Sequence, residues 1–124
     1  MKTKNHQDVI IIGGGISGLL CGTKIHNRLK TTILDKGRNF GGRLATREFN
    51  GAIFDHGAQF FKIESNDFKN FVAELIAQQI ICPWKLKLAY FEGDNLKKIK
   101  MIQKKHKFYV GVPSMDSIVK YMSK

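Results

Sequence analysis

A run of glycines near the front of the chain leaves few folds open. Gly13-Gly14-Gly15 is followed by Ile16-Ser17-Gly18, and the run interrupts the most apolar stretch of the sequence. Before it, Asp8-Val9-Ile10-Ile11-Ile12 is short and β-branched. An unbroken apolar run of that kind predicts a strand buried on both faces, here the central first strand of a parallel sheet. From Gly15 to about Leu29 the pattern turns helical, with Ile16, Leu19, Leu20 and Thr23 at helix spacing, and Thr31-Thr32-Ile33-Leu34 returns to strand character. Strand, helix and strand within about 30 residues make a βαβ unit with a right-handed crossover.

Between such a strand and helix, Gly13 to Gly18 fits the spacing G-x-G-x-x-G. Gly13 allows a tight turn, Gly15 lets the backbone approach a pyrophosphate, and Gly18 permits close packing of helix on strand. The diphosphate is then expected at the helix N-terminus, beside Gly15, Ile16 and Ser17, where free N–H groups and the helix dipole favour negative charge. Asp35 ends the second strand twenty residues after Gly15, followed by Lys36. Its carboxylate is placed to accept hydrogen bonds from ribose hydroxyls. A plain turn would explain the glycines and a solvated strand end would explain Asp35. Their joint spacing favours a dinucleotide, without separating NAD from FAD.

Further along, residues 36 to 51 carry four glycines with several basic residues and read as a loop, and Ala52-Ile53-Phe54 reads as a short extended piece stopped by Gly57. Phe68, Phe71, Val72, Leu75 and Ile76 follow helix periodicity, which predicts an amphipathic helix over 66 to 80, begun by Ser65 or Asn66 and ended by Pro83. Trp84 to Phe91 and Leu96 to Ile102 read as strands around Glu92-Gly93-Asp94-Asn95, with Phe108-Tyr109-Val110 a third. Ser114 is placed to cap a last helix carrying Met115, Ile118, Val119 and Met122. The expected division is one domain over 1–124, with a βαβ core over 1–60 and a helix, a β-hairpin and the start of the next helix over 61–124.

The chain has 124 residues and a net charge of +11, with 21 lysines and arginines against 10 acidic residues. Such a balance suits an anionic partner, but no nucleic-acid-binding motif accompanies it. The dense stretch at Lys97, Lys98, Lys100, Lys104, Lys105 and Lys107 reads as a solvated strand edge. Cys21 and Cys82 have neither CxxC spacing nor a nearby histidine at metal-ligand separation, so no zinc site or disulfide framework is indicated and a reducing, cytoplasmic setting is expected. Cys21 is expected to be a small packing residue on the first helix. The apolar run from Val9 to Cys21 is too short and too glycine-rich for a membrane span or a signal peptide. His6, His26, His56 and His106 show no partner spacing for a triad or a metal, and no nucleophile stands out.

Asp35-Lys36-Gly37-Arg38-Asn39-Phe40-Gly41-Gly42-Arg43-Leu44-Ala45-Thr46 resembles the acid, spacer, G-G-R and Thr element of the amine-oxidase-like flavoproteins. Asp55-His56-Gly57-Ala58-Gln59-Phe60-Phe61 resembles the D-x-G-A-Q-aromatic segment of their renalase-like branch, and Phe108 to Met115 is similar to a later strand-turn-helix. The resemblance implies an α/β, Rossmann-like FAD-binding unit with a small β-rich insertion, incomplete relative to the family. It places Gly42 and Arg43 toward the pyrophosphate and Gly57, Ala58 and Gln59 near the flavin ring. It implies an oxidoreductase that takes a hydride from an amine or a reduced nicotinamide-type substrate, the ring itself performing the chemistry. Because later segments of the family do not follow Lys124, the chain is expected to be inactive alone. The alternatives are a non-catalytic subunit that needs a companion chain and, from a different class, a basic nucleic-acid-binding module.

Overall fold

The structure is a computed structural model that describes residues 6–101 and 108–124. Strand β1 (Val9–Ile12) lies parallel to β2 (Thr31–Leu34) with Val9 opposite Thr31 and Ile12 opposite Leu34, and helix α1 (Ile16–Ile25) crosses between them. The βαβ unit therefore forms as its periodicity predicts. Helix α1 stops four residues short of Leu29, where His26 donates its N–H to Gly22 and the next residues turn on the Ile25 carbonyl. Gly18 and Gly22, one turn apart on one face, bring the helix onto the strands. A Cβ on Gly18 would overlap the Gly13 carbonyl, and one on Gly22 would sit 2.8 Å from Ile33 Cδ1. Cys21 is exposed and not the packing residue expected, because the close approach is made by Gly22 beside it.

One expectation for β1 is overturned. Among the described residues its only strand neighbour is β2, and it is not buried on both faces. Alternation turns Val9 and Ile11 toward α1 and leaves Ile10 58% and Ile12 89% exposed on the opposite face, next to an exposed Leu34.

The stretch read as a loop over 36 to 51 is partly ordered into strand. After a single 3₁₀ turn at Gly42–Leu44, strand β3 (Thr46–Phe49) pairs antiparallel with β4 (Ala52–Asp55). The connection is Asn50-Gly51, with φ of 50° and 76°, the left-handed pair that a tight hairpin needs. A two-residue strand, β5 (Phe61–Lys62), precedes helix α2 (Asn66–Ala77), whose N-cap Ser65 accepts the Phe68 N–H through its hydroxyl. Val72 and Leu75 of α2 are buried, as the helix periodicity predicts.

Pro83 does not end α2. The helix closes at Ala77, Gln79 takes a positive φ of 58°, and Pro83 lies inside strand β6 (Ile81–Trp84). Proline fits there because among the described residues β6 is an edge strand, paired to β9 (Phe108–Gly111) alone. The single strand expected from Trp84 to Phe91 is thus divided between β6 and β7 (Lys87–Glu92). Strand β7 pairs with β8 (Asn95–Met101) through a turn at Gly93 and a register shift at Tyr90/Phe91. Ile102, Lys104, Lys105, His106 and Lys107 lie outside the described residues, whereas Lys97, Lys98 and Lys100 are exposed along β8 as expected.

Strand β9 does not extend that hairpin. It is the centre of a separate antiparallel sheet ordered β5-β9-β6, with Phe61 opposite Tyr109 and Cys82 opposite Val110. Phe60 packs edge-on against Phe108 at 5.1 Å and tilted against Trp84 at 5.6 Å. Helix α3 (Asp116–Met122) then buries Ile118 and Val119 beside Met115. One apolar cluster joins Leu19 of α1 and Leu44 to Leu75, Ile81, Tyr109 and Met115, so the front and rear of the chain share a core. No helix among the described residues is long and apolar enough to cross a membrane.

Candidate dinucleotide site

The turn between β1 and α1 is built by its glycines for three different reasons. Gly13 has φ of +106°, a conformation that side chains disfavour, and its N–H donates to Leu34 O at 2.7 Å, tying the turn to the end of β2. Gly14 is buried under Phe40, whose ring occupies the place of a Cβ. Gly15 is different. Its φ of −74° suits any residue, and a Cβ there would meet no protein atom within 4 Å. Neither conformation nor packing within the chain explains a glycine at 15, whereas a ligand lying over it would. Gly15 stands at the N-terminus of α1, where the N–H groups of Ser17 and Gly18 have no intrahelical acceptor.

Asp35 reaches this turn from the end of β2. Gly14 N donates to one carboxylate oxygen and Gly37 N to the other, each at 2.6 Å. The Gly37 and Gly14 bonds hold the exposed carboxyl below its ordinary value, so it is ionised at neutral pH. Sequence reasoning placed Asp35 at a ribose. The structure also makes it the brace of the glycine turn, a role that the spacing did not announce. Its oxygens retain further lone pairs for hydroxyl donors. Lys36 beside it is exposed.

The later motif residues converge on the same turn. Gly41 N donates to Gly14 O at 3.0 Å, Gly15 and Gly41 form a parallel bridge, and a Cβ on Gly42 would lie 3.6 Å from Gly15 Cα. Arg43 is exposed, and its guanidinium has no hydrogen-bond or ion-pair partner among the described residues. Its carbonyl accepts the Ala58 N–H at 2.7 Å, and a Cβ on Gly57 would overlap that same oxygen. Gly57 and Ala58 therefore lean on the backbone of the G-G-R turn, with exposed Gln59 following. Of the expected residues, Gly13, Gly15, Ile16, Ser17, Gly18, Asp35, Gly42, Arg43, Gly57 and Ala58 belong to one continuous backbone arrangement. Among the described residues no hydrogen bond joins the side chain of Lys36 or Gln59 to it, although the Lys36 charge helps to hold the Asp35 carboxyl low.

Three residues of the quoted motifs carry roles that the sequence did not assign: Phe40 over Gly14, Thr46 and Asp55. Thr46 Oγ1 donates to Asp55 Oδ1 at 2.6 Å, and Met115 N donates to the same oxygen at 3.0 Å. Ser114 was expected to cap α3 but donates its hydroxyl to Asp116, while Asp55 takes the Met115 N–H. Among the described residues no group of three or more His, Cys, Asp or Glu side chains is arranged to hold a metal ion.

A parallel strand pair joined by a helix, with a glycine turn braced by an acidic residue at the next strand end, defines a mixed α/β protein of the Rossmann type. The chain belongs to the NAD(P)-binding Rossmann-like domain family, whose model matches residues 11–75, more than half of its length. Among solved structures it is similar to a putrescine oxidase double mutant from a redesign of cofactor binding. There the TM-score is 0.55 and the identity 22%, over 79% of this chain and 22% of that one. Wild-type putrescine oxidase bound to putrescine gives a TM-score of 0.54 at 20% identity, over 79% and 22% of the two chains. A fatty acid isomerase from P. acnes that produces CLA gives 0.58 at 20%, over 77% and 23%. The chain spans less than a quarter of the length of these structures.

Proposed function

We propose that the chain is the FAD-binding front portion of a flavin-dependent oxidoreductase of the amine-oxidase type, in its renalase-like branch. The observation that carries this reading is Gly15, an open glycine at a helix N-terminus that the chain's own packing does not require. The residues fit a dinucleotide: the turn and the first N–H groups of α1 take the diphosphate, and Asp35 takes ribose hydroxyls while bracing the turn. FAD is preferred over NAD(P) because the G-G-R turn leans on the glycine turn and Gly57-Ala58 lean in their turn on the G-G-R backbone. These are additional backbone surfaces beyond the βαβ unit itself, and they suit the longer flavin-bearing half of the cofactor. Arg43, whose planar fork is free to bind phosphate oxygens two at a time, faces the pyrophosphate. Lys36 and Gln59 complete the cofactor set.

A bound flavin supplies the hydride chemistry, with an amine or a reduced nicotinamide-type molecule as donor. The likeness to an enzyme that binds putrescine supports the amine. Completion of the substrate side falls to further polypeptide. The exposed free cysteines, Cys21 and Cys82, support a cytoplasmic setting.

The test is an FAD titration of the full chain, read by flavin absorbance near ~370 and ~450 nm and by melting temperature, which ligand binding to the native state must raise. Gly15→Val is expected to weaken FAD binding by more than about tenfold while costing the ligand-free protein only about 1 kcal/mol from a poorer N-cap. Equal FAD affinity in the variant removes the diphosphate from Gly15.

A second reading, a subunit completed by a companion chain, is favoured by one observation, the bare face of β1 and β2 at Ile10, Ile12 and Leu34.

A further inference from the structure

Helix α3 is not capped by its own neighbours. Met115 at its N-cap position makes no side-chain cap bond, and the Ser114 hydroxyl is engaged with the Asp116 carboxylate at 2.6 Å. The donors at the start of this helix are instead met from the β3–β4 hairpin. Met115 N donates to Asp55 Oδ1 at 3.0 Å and Asp116 N to Thr46 Oγ1 at 3.3 Å, contacts that span 60 and 70 residues of sequence. The Thr46 hydroxyl serves in both directions, its proton going to Asp55 and its lone pair taking the Asp116 N–H.

The same two residues stand next to the contact that holds the flavin-side backbone. Thr46 and Asp55 are opposite each other at the open end of the hairpin. Arg43 lies three residues before Thr46 and Ala58 three residues after Asp55, and it is the Arg43 carbonyl that accepts the Ala58 N–H. Beyond the hairpin's open end, the two backbone segments are joined by that bond and by the seating of Gly57 against the same carbonyl.

We propose that Thr46 and Asp55 are a positioning pair, which uses the start of α3 as an anchor to hold Arg43 and the Gly57–Gln59 segment in the geometry that receives the cofactor. The inference rests on the FAD reading for the identity of the cofactor and on the hydrogen bonds alone for the link. The two side chains act through the backbone between them.

The experiment measures amide hydrogen exchange and FAD affinity in the full chain for Asp55→Ala and for Asp55→Asn, which keeps an acceptor oxygen of the same reach. In Asp55→Ala, exchange at the Ala58 and Met115 amides is expected to rise by about tenfold or more. The Gly13 amide, bonded to Leu34 O in the βαβ unit, keeps its protection. FAD binding is expected to weaken by about tenfold, and Asp55→Asn to restore both readouts to within about threefold of wild type. Unchanged protection of Ala58 in folded Asp55→Ala overturns the proposal, as does equal acceleration at Gly13, which would mean general destabilisation. Should Asp55→Ala fail to fold, Thr46→Val removes the hydroxyl relay and leaves the carboxylate, with Thr46→Ser as its rescue and the Ala58 amide again decisive. A wild-type chain that binds no FAD overturns the cofactor reading alone, since the Ala58 amide still decides the link.

Discussion

At Asp35 both carboxylate oxygens accept backbone N–H groups, from Gly14 and Gly37, and this fixes how the site responds to acid. A carboxyl held below its ordinary value in the native state contributes stability that is present above the unfolded value, and the contribution is lost as pH falls through the folded value. Asp35→Asn substitutes an amide that cannot carry the charge and presents N–H groups where acceptors are needed. The variant is expected to melt below wild type at neutral pH, and the difference to shrink from about pH 4 downward as the wild-type carboxylate takes up its proton. Melting curves of both proteins across that range check it. A difference that stays constant with pH would show that the ionised carboxylate contributes nothing. Asp35 was legible in the sequence as an acid at a strand end, yet its bonds to Gly14 and Gly37 were not, because the spacing of a motif tells which residues meet and not which donor meets which acceptor. The roles of Thr46 and Asp55 were hidden more deeply, since their partners at the start of α3 lie 70 and 60 residues away.

The β1–α1–β2 unit was readable because two periodicities alternate there with glycine between them. The β3–β4 hairpin was missed although Asn50-Gly51 is a strong hairpin signal. Arg47 and Glu48 disguise the strand that leads into it, and the glycines of the preceding segment suggested a loop. Strand β5 is two residues long and β6 contains Pro83, so neither shows a strand pattern. The hairpin also separates two uses of glycine. Gly51 has a positive φ of 76° and nothing within 4 Å of a Cβ, so Gly51→Ala carries a conformational cost alone, about 1–2 kcal/mol. Gly18 is helical, but its Cβ would overlap the Gly13 carbonyl, so Gly18→Ala forces backbone to move and is expected to cost more than Gly51→Ala. Chemical denaturation of the two variants side by side gives the order, and the reverse order would count against close packing of α1 on its own turn.

At the scale of the molecule, the core formed by Leu19, Leu75, Tyr109 and Met115 contrasts with the bare face of β1 and β2. The apolar run of β1 predicts burial on both sides, whereas within the described residues only one side is covered. Such a face is expected to make the isolated chain self-associate. Ile12→Lys, at a side chain 89% exposed, is expected to raise the monomer fraction in size-exclusion chromatography while changing stability by less than about 0.5 kcal/mol. A large loss of stability would instead show that Ile12 is covered in solution. The topology of the three-stranded sheet carries a further consequence, for the order of events on the ribosome. Its central strand, β9, is the last of the three to be synthesised. Until Phe108–Gly111 leave the exit tunnel, β5 and β6 have no strand to pair with, and the apolar side of α2 must wait beside them. The βαβ unit can close while the chain is still growing, but the sheet behind it cannot, so the interval between the two is when this protein is most in need of a chaperone.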